Sequence, residues 1–230
     1  MFLIIKRKTL VVLLCGMMFT AICCVGIHLV AKNGIFFDQD EPLTIIIDPG
    51  HGGFDAGATG YEGIIEKDIN LSISLKLRDL LQANGFTVHM TRETDEATAG
   101  KKKEDMYARL ETMSDYPHSL YISVHQNQYP QSQYHGAQIF YSKNLPESKE
   151  LAQNLQQAFV QLLQPENTRE IKPGEKNLFL LYKATVPAVI VECGFLSNPT
   201  EAQQLASSEY QDKVAFTIFT GILQYIGKES

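Results

Sequence analysis

The sequence predicts an α/β domain, with helices packed on a largely parallel or mixed β-sheet. Compact β-branched runs alternate along the chain with segments of helical period, the pattern of strands separated by helices. Polar residues suited to chemistry stand just past the ends of three of those runs, the edge at which open α/β sheets build their sites. A length of 230 residues suits one such domain plus an appendage, and 44% hydrophobic residues exclude a chain disordered throughout.

The domain is predicted to span residues 43–228, with residues 33–42 as a linker before it. Leu43-Thr44-Ile45-Ile46-Ile47 reads as a buried strand closed by Asp48-Pro49-Gly50. Glu66 to Asn84 places Ile69, Ile73, Leu77, Leu80 and Leu81 at helical spacing, and Gly85 closes it. Phe86 to Thr91 reads as a second strand and Lys103 to Met113 as a helix, with Lys101-Lys102-Lys103 a solvated loop before it. Residues 119–124 form a third strand, Gly136 to Tyr141 a fourth, and Glu147 to Gln164 the next helix. Pro165 to Asn177 is polar, contains Pro173-Gly174, and reads as a loop. Ala188 to Glu192 is a further buried strand, and Tyr210 to Ile226 a closing helix. No repeat and no second globular domain is expected.

Charge and cysteine usage bound the setting. Net charge is −6, and no acidic residue precedes Asp38, whereas Lys6, Arg7, Lys8 and Lys32 do. From Asp38 onward 16 Lys and Arg face 26 Asp and Glu, about −10. Such a domain is unsuited to nucleic-acid phosphates. Lys6-Arg7-Lys8 is followed by Thr9 to Val30, an uncharged run long enough to cross a bilayer. Residues 1–32 therefore read as a signal peptide or a membrane anchor, the length of the run and the lack of a clean cleavage signal favouring the anchor. The basic cluster keeps the amino end in the cytoplasm, so the domain is expected outside. Three of the four cysteines lie in the apolar run, and Cys193 alone cannot form an internal disulfide in the domain.

The residues that carry chemistry are His51, Glu66, His125 and Glu192. His51 follows the first strand through Asp48-Pro49-Gly50, His125 directly follows the third, and Glu192 ends Val189-Ile190-Val191. Glu66 opens the long helix, where a carboxylate also gains from the helix dipole. Two imidazoles and one carboxylate make a common catalytic zinc set with one position left open. A further carboxylate must then accept the proton of water and pass it to a leaving amine. His51, Glu66 and His125 fit as ligands and Glu192 as the base.

Plainer roles stay open for each: a flexible turn for His51, a strand cap for His125, a helix-start carboxylate for Glu66. A carboxylate at the end of an apolar run, as Glu192 is, is expensive unless paired or near a metal. His89 alternates with Val88 and Met90 and points away from the apolar face. His118 and His125, seven apart, are expected on opposite strand faces, and His135 in a polar surface loop. Cys193 could serve as a nucleophile with a histidine base, but beside a buried strand it reads as packing.

Four blocks in order resemble the zinc-dependent N-acetylmuramoyl-L-alanine amidases of the amidase_3 type. They are Ile47-Asp48-Pro49-Gly50-His51-Gly52-Gly53, Glu66-Lys67-Asp68-Ile69-Asn70-Leu71, Ser123-Val124-His125-Gln126-Asn127, and residues 191–198 from Val191 through Glu192 to Asn198. The resemblance implies a twisted sheet flanked by helices, Zn2+ on His51, Glu66 and His125, and Glu192 as catalytic carboxylate. It implies cleavage of the amide between the lactyl group of N-acetylmuramic acid and L-alanine of peptidoglycan. Gln126 and Cys193 depart from the family pattern, and both bear on substrate fit more than on chemistry. The single amino-terminal apolar segment, residues 136–141 and Glu166-Asn167-Thr168-Arg169 are similar to the sporulation- and germination-specific CwlD-like branch. That branch implies a role in muramic-δ-lactam formation in spore cortex, with a peptidoglycan deacetylase acting downstream. The implied location is the outer face of the cytoplasmic membrane, the cell wall or the intermembrane space of the forespore. The rival readings are another wall zinc hydrolase, a peptidase or deacetylase, a non-catalytic wall-binding module, and an amidase inactive without a protein activator as partner.

Overall fold

The computed structural model describes residues 42–229. The predicted anchor or leader, and the linker up to its last residue, lie outside them. Among the described residues no helix is long and apolar enough to cross a membrane.

Six strands form one mixed sheet in the order β2-β1-β3-β6-β4-β5. They are β1 (Thr44–Pro49), β2 (Thr87–Met90), β3 (Ser119–Asn127), β4 (Gln138–Tyr141), β5 (Lys172–Pro173) and β6 (Ala188–Phe195). β1 lies parallel to β2 and β3, and β3 parallel to β6. β4 runs antiparallel to β6 because residues 128–137 hold no helix, and a parallel crossover needs about a dozen residues or more.

The helices are α1 (Glu66–Ala83), α2 (Lys102–Asp115), α3 (Pro146–Leu162), α4 (Phe179–Lys183), α5 (Pro199–Ala206) and α6 (Ser208–Glu229). Strand alternation sorts the core into two layers. Ile45, Ile47, Ile122, Val124, Val189 and Val191 pack against α1, α3 and α6. Ile46, Tyr121, Ala188 and Ile190 face Met113 of α2 and Leu180 and Leu181 of α4. The result is helices on both faces of the sheet, as the sequence predicts.

Several boundaries differ from expectation, each for a local reason. β3 and β6 continue past Val124 and Val191, so His125 and Glu192 sit within paired strands, in register with each other. Parallel pairing is a backbone matter and continues through polar residues when both neighbours stay aligned. Lys102 and Lys103 open α2 instead of lying in a loop, with Glu104 and Asp105 supplying the acidic first turn that the helix dipole favours. The expected 165–177 loop contributes the two-residue strand β5, at the sheet edge where Pro173 loses no ladder bond. α5 begins at Pro199 behind Asn198, whose side chain accepts from the Glu201 amide at 3.1 Å. Neither α4 nor α5 is long enough to show a helical period in the sequence.

Candidate active site

The turn after β1 sets the first side chain of the site. His51 has φ 62°, a left-handed conformation that residues with a Cβ rarely hold, and Gly52 and Gly53 follow at φ 136° and 53°. This reversal brings the His51 ring within 5.0 Å of the His125 ring, centroid to centroid. Gly50 is needed for the same close approach: a Cβ there would stand 2.2 Å from the His125 ring.

Glu66, the first residue of α1, reaches between the two rings. Its Oε1 lies 3.0 Å from His125 Nδ1 and 3.3 Å from His51 Nε2. The same carboxylate accepts from the Gln126 amide at 3.2 Å, Asn70 Nδ2 at 3.3 Å and the Ala58 amide at 2.8 Å. One ligand-type atom from each of His51, Glu66 and His125 lies within 4.8 Å of the others, a group able to hold a metal ion. Burial opposes the charge on Glu66, but both imidazoles hold its carboxyl far below the usual range. Burial likewise works against a charged His125, and Glu66 overrides it, raising the imidazole to about 9.

Glu192 stands beside His125 across the β3–β6 pair. Its Oε2 is buried and has no hydrogen-bond partner among the described residues. Burial pushes its carboxyl up to about 7, against the pull of the His125 charge. A carboxylic oxygen without a partner, next to three converging donors, is placed to accept a proton from a molecule held there.

Several residues that build the site are invisible in the sequence reading. Arg109 of α2 is almost fully buried and donates to Asp48 Oδ1 at 2.6 Å, Asp105 Oδ2 at 2.8 Å, and the carbonyls of Pro49 and His51 at 2.9 and 2.6 Å. Asp48 also accepts from Ser123 and Thr91 hydroxyls at 2.6 and 2.7 Å. Burial would raise the Asp48 carboxyl, but Arg109 and the two hydroxyls hold it at about 2. Arg92 ties the carbonyls of Pro49, Gly50 and Lys67 together. Asp55 accepts from His51 Nδ1 at 3.0 Å and pairs with Lys102 at 3.1 Å, which fixes the ring with Nε2 towards Glu66. One signal was available: Arg109 falls on the apolar stripe of its helix beside Met106, Leu110 and Met113, where an unpaired cation is untenable.

The two departures from the family pattern are both buried, on the side of the sheet away from His125 and Glu192. Gln126 is buried and donates to Asn70 Oδ1 at 3.1 Å, so it steadies the residue that holds Glu66. Cys193 is fully buried in the α1, α3 and α6 layer, and burial pushes its thiol well up, away from nucleophile chemistry. Strand alternation turns both away from the face that His125 and Glu192 share. Of the other histidines, His89 stacks on Tyr116 at 4.6 Å, and His135 lies exposed in the loop before β4.

The family model for N-acetylmuramoyl-L-alanine amidase (Amidase_3) matches residues 45–224, the sheet from the second residue of β1 onward and all four site residues. The chain belongs to this family. It is an enzyme that hydrolyses the amide joining N-acetylmuramic acid to L-alanine, and peptidoglycan is its substrate. It is 40% identical over 189 residues to the germination-specific N-acetylmuramoyl-L-alanine amidase of Bacillus subtilis, covering 79% of this chain and 78% of that one. It is 26% identical over 223 residues to the amidase AmiA of Escherichia coli, covering 79% and 75%. Among solved structures, the CwlD amidase of Clostridioides difficile, in complex with the GerS lipoprotein, matches with a TM-score of 0.77 and 39% identity over 81% of this chain and 99% of that one.

Proposed function

We propose that His51, Glu66 and His125 hold a zinc ion and that Glu192 carries the proton in hydrolysis of the lactyl–alanine amide. The donor set fits that metal. Two imidazole nitrogens stand 3.0 and 3.3 Å from one carboxylate oxygen, and tetrahedral zinc with legs of about 2.0–2.1 Å has ligand edges of about 3.3 Å. Zinc, when bound, polarises a carbonyl and lowers the pKa of water towards about 7. Asp55 and Asn70 keep the His51 ring and the Glu66 carboxylate aimed at one point. Glu192 takes a proton from the attacking water and returns it to the alanine nitrogen as the amide breaks. The buried, unpartnered Oε2 of Glu192 beside this donor set is the observation that carries the reading.

The cell-wall relatives support an extracytoplasmic setting. Residues 1–32 export the chain as a leader or anchor, residues 33–42 link it, and residues 43–228 act outside the membrane. The germination-specific relative supports work on spore cortex, in muramic-δ-lactam formation ahead of a deacetylase. The lipoprotein seated on the Clostridioides difficile relative supports a protein activator here too.

The test is to incubate the purified protein, with and without added zinc, with peptidoglycan and to read the products by mass spectrometry. Zinc-dependent release of peptides beginning with L-alanine, from glycan left intact, is expected. New ends inside the peptide, or loss of acetyl groups, would refute the reading.

A further inference from the structure

A second cleft opens on the same face of the sheet, one strand away from Glu192. Gln138 of β4 pairs directly with Glu192 of β6 and lines it, as does Asn127, two residues beyond His125 on β3. The cleft measures about 260 Å³, and Tyr134, Phe195, Arg169 and Lys172 form much of its remaining wall. Its lining holds two cations and no carboxylate, in a chain of net charge −6.

Arg169 is held for use. Its guanidinium lies 4.5 Å from the Phe195 ring centre and 5.9 Å from that of Tyr134. Nε donates to the His135 carbonyl at 2.8 Å, and the Arg169 amide donates to Asn167 Oδ1 at 3.0 Å. The two terminal nitrogens have no acceptor among the described residues, and stacking on a ring leaves that edge free to grip a carboxylate. The floor is fixed as well: buried Glu201 accepts from the Phe195 amide at 2.7 Å and the Gly136 amide at 2.9 Å. Lys172, exposed on β5, likewise has no acidic partner among the described residues.

We propose that this cleft receives the stem peptide, with Arg169 and Lys172 pairing with the free carboxylate nearest its L-alanine. The inference rests on the amidase reading and deepens it. The scissile amide has a neutral acetylated sugar on one side and a peptide bearing carboxylates on the other. A cation pair in a lining without carboxylates, the nearby Glu201 being buried and engaged by two backbone amides, therefore selects the peptide side, and the adjoining strand register sets the direction in which the substrate lies across Glu192.

The test compares muropeptides whose stem carboxylate next to L-alanine is free or converted to the amide, using the full-length zinc-loaded protein. The wild type is expected to favour the free acid by roughly 10–100-fold in kcat/KM, through KM, as loss of a charged hydrogen-bonded pair implies. Arg169→Gln should lose that factor on the free acid and change little on the amide; Arg169→Lys should recover part of it. Lys172→Gln, at an exposed position with no ion pair to lose, should show the same selective loss to a smaller degree. Calorimetric titration with the released peptide should show the same pattern without turnover. Equal activity of the wild type on both substrates, or an equal loss on both in Arg169→Gln, would overturn the proposal while leaving the amidase standing. Failure to bind zinc or to release alanine-terminated peptide from either substrate would count instead against the zinc and Glu192 reading of the site, and the peptide titration, which needs no turnover, would still decide this proposal.

Discussion

Replacing Arg109 by Met keeps most of the side-chain volume and removes the cation that closes the turn bearing His51. Arg109 is 2% exposed and its partner Asp48 is fully buried. Removing one partner of a buried ion pair costs roughly 3–5 kcal/mol, chiefly because the other charge is left uncompensated. Asp48 keeps its Ser123 and Thr91 donors, so the lower end, about 3 kcal/mol, is expected. At roughly 2–4 °C per kcal/mol for a domain of this size, the melting temperature should fall by roughly 6–12 °C. Acidity gives a second readout. In the wild type the Asp48 carboxyl is held at about 2, below its ordinary 3.8. A carboxyl depressed on folding stabilises above its unfolded value, and that stabilisation, about 2 kcal/mol here, is lost as pH falls from about 4 through 2. Without Arg109, burial raises the Asp48 carboxyl, so acid unfolding should begin at higher pH. Thermal melts read by circular dichroism from pH 7 to pH 2 measure both effects. Adding Asp48→Asn to the variant should restore part of the stability, since the more deeply buried of the two stranded carboxylates is then gone and Asp105 keeps its Thr98 donor. A melting temperature within 2 °C of wild type, or an unchanged acid limb, would refute this account of the network.

Glu192→Gln should keep zinc, read by metal analysis, and lose turnover by roughly 100-fold or more; near-normal activity would remove Glu192 from the proton path. Asp55→Asn should weaken zinc by roughly 10–100-fold in a chelator competition, because the His51 ring loses its charged partner, with the circular dichroism spectrum unchanged. Gly57→Ala should abolish zinc binding. Gly57 has φ 67°, and an added Cβ would stand 2.6 Å from Glu66 Oε2 and 2.7 Å from the His51 ring. Gly85→Ala is the control: φ is 85° but the surrounding space is open, so stability falls by roughly 1 kcal/mol while zinc affinity stays.

The order of the longer strands and helices and the site motifs are legible in the chain, while the short β5, α4 and α5 and the two layers of the core are not. The legible parts rest on local patterns: compact apolar, β-branched runs for buried strands such as residues 44–47, and a period of 3.6 for the helix from Glu66. The glycines around His51 announce a reversed turn, since few residues hold φ above zero. Even the departures at Gln126 and Cys193 are visible as departures. Their orientation is not, because a residue's face depends on where its strand sits between two helical layers.

The sequence by itself determines which residues can do the chemistry and at which sheet edge they stand. Tertiary structure alone decides that Glu66 and His125, 59 positions apart, share one oxygen–nitrogen contact at 3.0 Å. It alone pairs Arg109 with Asp48, 61 positions away, and lays Arg169 over Phe195 beside the strand that carries Glu192. Local propensity acts over a few residues and reports on hydrogen bonds within one element. Contacts between distant elements depend on how strands register and how helices close over them, and a buried charge finds its partner only once that packing is complete.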